Sequence, residues 1–564
     1  MKKFCIFLLC IAIPTLAAAA AMDLDPIRVY SMKDILRNSD EPELLPSLSS
    51  GVDIQSRVNN GMLQDVSIRG GSFEDADVRI EGVRINNPQT GHFNLSVPIV
   101  PTDLKNTQVD LNGQYIDYSL KVPNKNEGIV RMSAGNGGYV DSITSASFGK
   151  GNTYNRVSYE GMRTDGLRPE TDSKKNSASY TLFHEADLLT SQIYAAYLQK
   201  DFGEGGAYGA PWYMREEEHL KQQFVMGKFA FKENLDLILT PYFHQTDDTF
   251  FLDRYNRTAN RNDHTTYVYG NDAKMYFMDR LFFTKLDIRQ ETLRSTNLNK
   301  HDRFIYEFGI GQEERQFGKF GYNFYCGALM LNNFPYQTIP KAGVFYDVFE
   351  QWRLSFDASR KYRTPSFTEL YYFSPSSHGN ADLAPQFSDN YEVGLTHKTE
   401  KFVARIDSFY RYEKDAIDWV RNNSDSFYRA VNVEKIQTSG YDLKVQYDLD
   451  WKFLKRFSTE FTGLYLTKNN NWDMSKYAFE YLRNRLVCKL EQSVGKWDFA
   501  LAYIYEDHIS QKSRSIVNGD IVYKISKNMD TFIKMENMFD NDYYEMRYIE
   551  AAPMSIRGGV EIKF

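Results

Sequence analysis

The sequence predicts an all-β membrane barrel of about 22 antiparallel strands, preceded by a smaller N-terminal α+β unit. Three observations carry that prediction. From residue 128 to the end, apolar and polar residues alternate again and again. The polar gaps between these runs are short and long in turn. Aromatic residues make up 15% of the 564 residues, with 39 Tyr, 39 Phe and only 6 Trp. A mean hydropathy of −0.52 leaves no room for a polytopic helical membrane protein. The net charge of −7 argues against nucleic acid as a partner, because phosphates favour a basic face.

Taken from the N-terminus, the first element is an export signal. Lys2 and Lys3 precede an apolar run from Phe4 to Ile13 and then Ala17 to Ala21. A positive start, a short apolar run and small residues at the cut define a signal peptide over 1–21, too short to span a bilayer. Cys5 and Cys10 leave with it, and Leu9 before Cys10 is not the small residue that lipidation needs. Cys326 and Cys488 remain, far apart and each in phase with apolar neighbours on a strand. Neither a disulfide framework nor a cysteine metal site is expected.

The long C-terminal region, 128–564, is read from its period. Tyr441, Leu443, Val445 and Tyr447 alternate with Asp442, Lys444 and Gln446; Trp497, Phe499, Leu501, Tyr503 and Tyr505 form one face of another run; Phe402, Ala404 and Ile406 alternate with Val403, Arg405 and Asp407. A period of two is a β-strand with one wet and one apolar face. A soluble sandwich would alternate in the same way, so the gaps decide. Short turns fall at 149–152, 187–191, 232–234, 278–281, 315–319, 348–351, 397–401, 449–453, 493–496 and 526–529. Longer loops lie between them, at 164–177, 201–221, 246–265 and 372–388 among others. Short turns at one end and long loops at the other mark an outer-membrane barrel. Ten short turns imply 22 strands, which leaves about 20 residues for each strand with its connection, against about 9–11 needed to cross. The aromatic excess fits the girdles at both membrane interfaces, and closure leaves no unpaired backbone in lipid. In the last strand Ile556, Gly558, Val560, Ile562 and Phe564 share the lipid face.

Residues 36–127 have a different texture, Gly-rich with short strands. The runs Asp65-Val66-Ser67-Ile68-Arg69-Gly70-Gly71 and Val78-Arg79-Ile80-Glu81-Gly82-Val83-Arg84-Ile85-Asn86-Asn87-Pro88 resemble the plug domain of TonB-dependent outer-membrane receptors. The resemblance continues in order along the chain: Arg363-Thr364-Pro365-Ser366-Phe367-Thr368-Glu369-Leu370-Tyr371, Gly379-Asn380-Ala381-Asp382-Leu383-Ala384-Pro385, Gly440-Tyr441-Asp442, and Glu536-Asn537-Met538-Phe539-Asp540. The final Phe resembles the signal read by the barrel assembly machinery. The plug layout is most similar to the cobalamin-receptor branch. One stretch departs from the family: Val109 to Leu120 lacks most of the glycines and several residues usual there, so the plug is shortened.

The resemblance implies an organisation and a function. A segment at 22–35 would hold a TonB box, here Asp25, Pro26, Ile27, Arg28, Val29 and Tyr30, gripped by the periplasmic protein TonB through strand addition. The plug would occupy 36–127 inside the lumen. Substrate contacts are expected at its apices, Arg57, Asn59 and Asn60 in the first and Asn87, Gln89, Thr90, His92 and Phe93 in the second, with Trp212, Tyr372 and Phe373 of the loops as stacking partners. Arg69, Arg79 and Arg84 are expected to pair with wall carboxylates such as Glu369 and Glu392. The expected cargo is a scarce nutrient chelate, a corrinoid first and a ferric siderophore second; a passive porin-like barrel is the remaining alternative. Asp247, Asp248 and Asp253 offer oxygen ligands for calcium, although a solvated acidic loop is the plainer account. No resident cofactor, metal site or catalytic group is expected, since there is no His-x-x-x-His on a helix and no Gly-x-Ser-x-Gly. The protein is expected to be a monomer in outer-membrane lipid.

Overall fold

A computed structural model describes residues 28–31 and 42–564, except 209–214, 233–235, 259, 333, 452–453, 470–471, 477–480, 510 and 547–548. The export signal and Asp25, Pro26 and Ile27 therefore lie outside the described residues.

Alternation closes into a barrel of 22 long antiparallel strands, the first at Glu127–Gly135 and the last at Ser555–Lys563. These two pair with each other, Lys563 opposite Ile129 and Arg557 opposite Gly135. Phe564 completes the seam by exchanging backbone hydrogen bonds with Gly128, at 2.7 and 3.0 Å. A side chain at Gly128 would collide with the Phe564 ring, so the glycine makes room for the terminal aromatic. Short turns such as 151–152, 350–351 and 495–496 gather at one end of the barrel. Long connections at 165–172, 204–216, 252–260 and 364–385 gather at the other, the last carrying the short helix α1 (Phe367–Tyr371).

Each wall strand keeps one face apolar and outward. In Trp497–His508 the outward residues Trp497, Phe499 and Leu501 are exposed, while Ala502, Ile504, Glu506 and His508 are buried on the luminal side. Cys326 and Cys488 are free thiols on separate strands. Asp247 and Asp248 differ from expectation: both lie in the strand Leu237–Phe251 and not in a loop. Neighbours in a strand face opposite ways. Asp247 is bonded by Gln245 and Thr265, whereas Asp248 is buried on the other face, so the two cannot converge with Asp253 on one ion.

The lumen holds the plug. Its main sheet has five strands in the order β1-β6-β7-β4-β5, where β1 is Arg28–Ser31, β4 Asp77–Ile80, β5 Val83–Arg84, β6 Leu104–Asp110 and β7 Tyr115–Leu120. The Gly-poor stretch is the β6–β7 hairpin. Its turn is closed by Asp110, which accepts from the Gly113 N–H at 2.7 Å, and by Gln114 at φ +50°. A second hairpin, β2 (Val52–Val58) with β3 (Leu63–Ile68), forms a separate two-stranded sheet. At its end Arg69 and Gly70 turn the chain with φ of +48° and +71°.

Two kinds of contact hold the plug. The plug core, with Ile80, Ile99, Val109 and Ile116, runs without interruption into buried wall residues Tyr194, Phe224, Met226, Tyr242 and Val268. These belong to the four neighbouring strands between Leu189 and Phe277. Elsewhere ionic and polar contacts join smaller apolar ones, such as the packing of Val58, Met62 and Phe93 in one cluster with Tyr139 and Met162. Arg156 of the wall binds Asp103 at 2.6 Å, Arg69 of the plug binds Glu392 at 2.6 Å, and His508 meets Asp53 at 3.0 Å.

Candidate functional site

The most developed site lies at the long-loop end, above the β2–β3 hairpin. Because side chains alternate along β2, Asp53, Gln55 and Arg57 share its upper face. With Phe73 of the plug and Tyr208, Tyr428, Lys476 and Tyr481 of the loops they line a cavity of about 390 Å³.

Asp65 is the hinge of this arrangement. Arg57 grips it with Nε and Nη2, both at 2.8 Å, and His92 Nδ1 approaches its other oxygen at 2.7 Å. An ionised carboxylate only accepts, so His92 carries its proton on Nδ1. Burial pushes the Asp65 carboxyl up, but Arg57 and His92 outweigh it and hold the group well below the usual carboxylate range. Burial lowers His92, partly offset by Asp65. The imidazole lies flat on Phe73, with ring centres 4.3 Å apart, and meets Tyr208 edge-on at 5.7 Å. Arg57 also donates from Nη1 to the Ala207 carbonyl at 2.7 Å, tying the hairpin to the 204–216 loop.

Lys476 supplies the second cation. Its ammonium sits 5.7 Å from the Trp419 ring centre and 6.0 Å from that of Tyr428. Burial and the nearby Arg57 push it down to about 8. The lining thus combines Arg57 and Lys476 with Asp53 and Asp65 and with the rings of Phe73, Tyr208, Tyr428 and Tyr481, so it offers a ligand both charged and stacking contacts.

The sequence-derived residues divide between this cavity and other tasks. Arg57 lines it and His92 supports it. Asn59 and Asn60 sit at the hairpin tip but line a different cavity, on the underside of β2. Asn87, Gln89, Thr90 and Phe93 are buried and turned away from it. Asn87 Oδ1 accepts from the Gln89 N–H at 2.8 Å, Thr90 caps a single helical turn, and the backbone carbonyl of Gln89 accepts from the Thr368 N–H at the start of α1. Phe93 packs with Met62, Phe202 and Leu220. Tyr372 is packed against Trp419, Phe373 is stacked on His378, and Trp212 lies outside the described residues.

The plug arginines also divide. Arg69 reaches the wall at Glu392 and at Asp442, with 2.5 Å to the latter, and lies 4.0 Å above the Phe409 ring. Arg79 and Arg84 do not reach Glu369 or Glu392; both bind Asp77 of the plug itself, at 3.0 and 3.2 Å, because β4 and β5 bring them together first. Glu369 is occupied at home, capping α1 through Ser366 and binding Arg363 at 2.7 Å. Lys476, Tyr208, Tyr428 and Tyr481 were missed by sequence reasoning. They come from three separate loops, and no motif in the sequence marks them.

At the opposite end, Arg28–Ser31 pairs with Asn106–Val109 as the outermost strand of the plug sheet. The outer edge of β1 has no strand partner among the described residues. The segment is thus already extended, with one edge open to a further strand.

Solved structures with the same architecture include the siderophore receptor PirA from Pseudomonas aeruginosa, at 13% identity and a TM-score of 0.73 over 96% of this chain and 100% of that one. The FrpB iron transporter from Neisseria meningitidis matches at 13% identity and 0.77, over 96% and 99%. A mutant of the ferric enterobactin receptor PfeA from Pseudomonas aeruginosa matches at 11% and 0.78, over 96% and 98%. At such identities the likeness is one of fold. The family described as TonB dependent receptor-like, beta-barrel matches residues 119–513, most of the chain. A closed 22-strand barrel, a luminal plug and that match together make this chain a member of the TonB-dependent receptor family of the bacterial outer membrane.

Proposed function

We propose that the protein captures an anionic ferric chelate of the siderophore class at the cell surface and passes it to the periplasm with energy delivered by TonB. The observation that carries this reading is the pairing of Arg57 and Lys476 with aromatic rings in the extracellular cavity of about 390 Å³. Ferric catecholates combine net negative charge with flat aromatic ligands, and both features find partners there. The siderophore and iron receptors among the solved structures of this fold support the same class. A corrinoid, favoured by the plug layout in the sequence, is the second reading.

TonB would engage the segment Asp25 to Tyr30. Its support is the extended backbone of residues 28–31 and their open edge. The Ile27→Pro variant is expected to abolish uptake and leave surface binding intact, since proline removes a pairing N–H.

The test is binding of iron-labelled ferric enterobactin and of labelled cobalamin to outer membranes containing wild type, Arg57→Gln or Lys476→Gln. Saturable binding of the ferric chelate that weakens about tenfold in each variant, or about 1.4 kcal/mol, is expected. Saturable cobalamin binding with none of the ferric chelate would overturn the assignment in favour of the corrinoid.

A further inference from the structure

At the extracellular rim the outward face of the barrel breaks a pairing rule. In three extracellular hairpins a cation stands directly across from a cation: Arg163 opposite Lys174, Arg294 opposite Lys300, and Lys414 opposite Lys435. All six side chains are exposed. They share the outward face with exposed tyrosines four or six residues nearer the membrane. Tyr159 and Tyr180 lie below the first pair, Tyr306 below the second, and Tyr410 and Tyr441 below the third. Outward tyrosines of this kind mark the membrane interface. Counted from the periplasmic turn, Arg163 is the eleventh residue of its strand, and Arg294 and Lys414 are the thirteenth of theirs. About 9–11 residues cross the hydrocarbon, so the three pairs stand at headgroup level on the extracellular side.

Like charges directly across two strands repel and weaken the pairing. Exposed cations beside the periplasmic turns show the usual arrangement: Lys232 meets Glu185 at 3.0 Å and Arg280 meets Asp236 at 2.6 Å. At the upper rim the nearby acids are engaged elsewhere. Asp201, across from Lys174 on its far side, is held by His219 at 2.6 Å. Asp302, the next outward residue after Lys300, accepts from Thr292 at 2.6 Å. Thr265 stands across from Arg294 on its far side, and Phe387 across from Lys414. Lys414 reaches its chain neighbour Asp415 at 4.0 Å. Among the described residues, Arg163, Arg294, Lys300 and Lys435 make no ion pair.

We propose that these cation pairs seat the phosphate groups of the anionic glycolipid in the outer leaflet, one phosphate between the two cations of a pair. Directly opposite residues hold their Cβ atoms about 4.5–5.5 Å apart, so both side chains can close on one anion. A phosphate between them replaces one repulsion by two attractions, and an arginine adds a fork of parallel donors. Charges attract more strongly at headgroup level than in bulk water, because the surroundings are less polarisable. The tyrosines below present ring faces to the acyl chains and hydroxyls to the sugar. Arg294–Lys300 and Lys414–Lys435 are the stronger seats, since no carboxylate stands across from either. These seats lie on the outside of the wall, away from the cavity, so they do not depend on the cargo.

The test titrates the full-length protein in detergent with diphosphoryl lipid A and reads retained lipid by native mass spectrometry. Wild type is expected to retain it, and to hold the dephosphorylated form about tenfold more weakly, as for loss of a charge-assisted contact. Arg294→Gln with Lys300→Gln, and Lys414→Gln with Lys435→Gln, should each remove part of the retained lipid. All four together should weaken binding about tenfold, with heat-modifiable mobility and surface binding of ferric enterobactin unchanged. Lys300→Glu separates a lipid seat from a merely structural rim, because it puts a carboxylate across from Arg294. It should raise the unfolding temperature in lipid-free detergent and still lower lipid A retention. Lys232→Gln, at the periplasmic end, should leave retention unchanged. Equal retention of dephosphorylated lipid A or of phosphatidylglycerol would overturn the assignment. So would displacement of lipid A by inorganic phosphate, or unchanged retention in the folded four-residue variant.

Discussion

The plug meets the barrel in two chemically different ways. Toward the strands between Leu189 and Phe277 it shares one apolar core, in which Tyr194 and Phe224 are fully buried. Toward the strands between Leu482 and Lys524 it meets guanidinium, imidazole and carboxylate groups, with spaces between. Apolar burial is non-directional and is lost in proportion to the area exposed. Buried ion pairs repay much of their own desolvation and contribute little net stability, while fixing one arrangement among several. Apolar packing dominates on one side and ion pairs on the other.

That contrast breaks most visibly at Phe224. Truncation to alanine in the shared core is expected to cost about 3–5 kcal/mol, read as a lower urea midpoint for plug unfolding while the barrel keeps its heat-modifiable mobility. Arg485→Gln on the other side should cost less, about 1.5–3 kcal/mol for hydrogen bonds from a charged donor, in the same titration. It should also raise amide exchange in 49–58 without changing 104–120. Exchange rising equally in both segments would mean that the two sides are not independent. Tyr194→Phe deletes one hydrogen bond, to the Pro98 carbonyl at 2.9 Å, and keeps the ring. A loss of about 1 kcal/mol is expected, well below that of Phe224→Ala.

The smallest effect concerns the site. Lys476, pushed down to about 8, is charged below that pH and neutral above it. Raising pH from 7 to 9 takes its charged fraction from about nine-tenths to about one-tenth. Affinity for an anionic chelate should fall over that interval by about threefold, and the fall should vanish in Lys476→Gln. Binding that tightens with rising pH would remove Lys476 from the site.

Much of the architecture was legible because a barrel writes its period into every strand. Alternation located the wall, and gap lengths located its two ends, because membrane thickness fixes strand length while only one end needs long loops. The site was less legible. Asn87 and Thr90 carry groups that suit a ligand, and groups of the same kind also satisfy backbone N–H groups in a tight turn, as Asn87 Oδ1 and the Thr90 hydroxyl do here. Arg79 and Arg84 looked like wall partners because their only visible feature was charge; Asp77, two residues from Arg79 in sequence, is the nearer acid once β4 and β5 pair. Lys476 and Tyr208 lie 268 residues apart, and nothing in a linear pattern signals that a closed sheet brings their loops face to face.

The order of elements along the chain has a mechanical consequence. β1 is an edge strand antiparallel to β6, entered from its N-terminal end. Tension applied at that end loads the hydrogen bonds one after another, as in peeling tape, and not all at once. Once β1 has peeled away, the next described elements to feel the pull are the 3₁₀ helix at Pro42–Leu48 and then β2. The strands β4 to β7 come later in the chain and are shielded until the hairpin has yielded. Sequence order here is a loading order: under a pull from the N-terminus the edge strand comes first, the hairpin second and the strands β4 to β7 last.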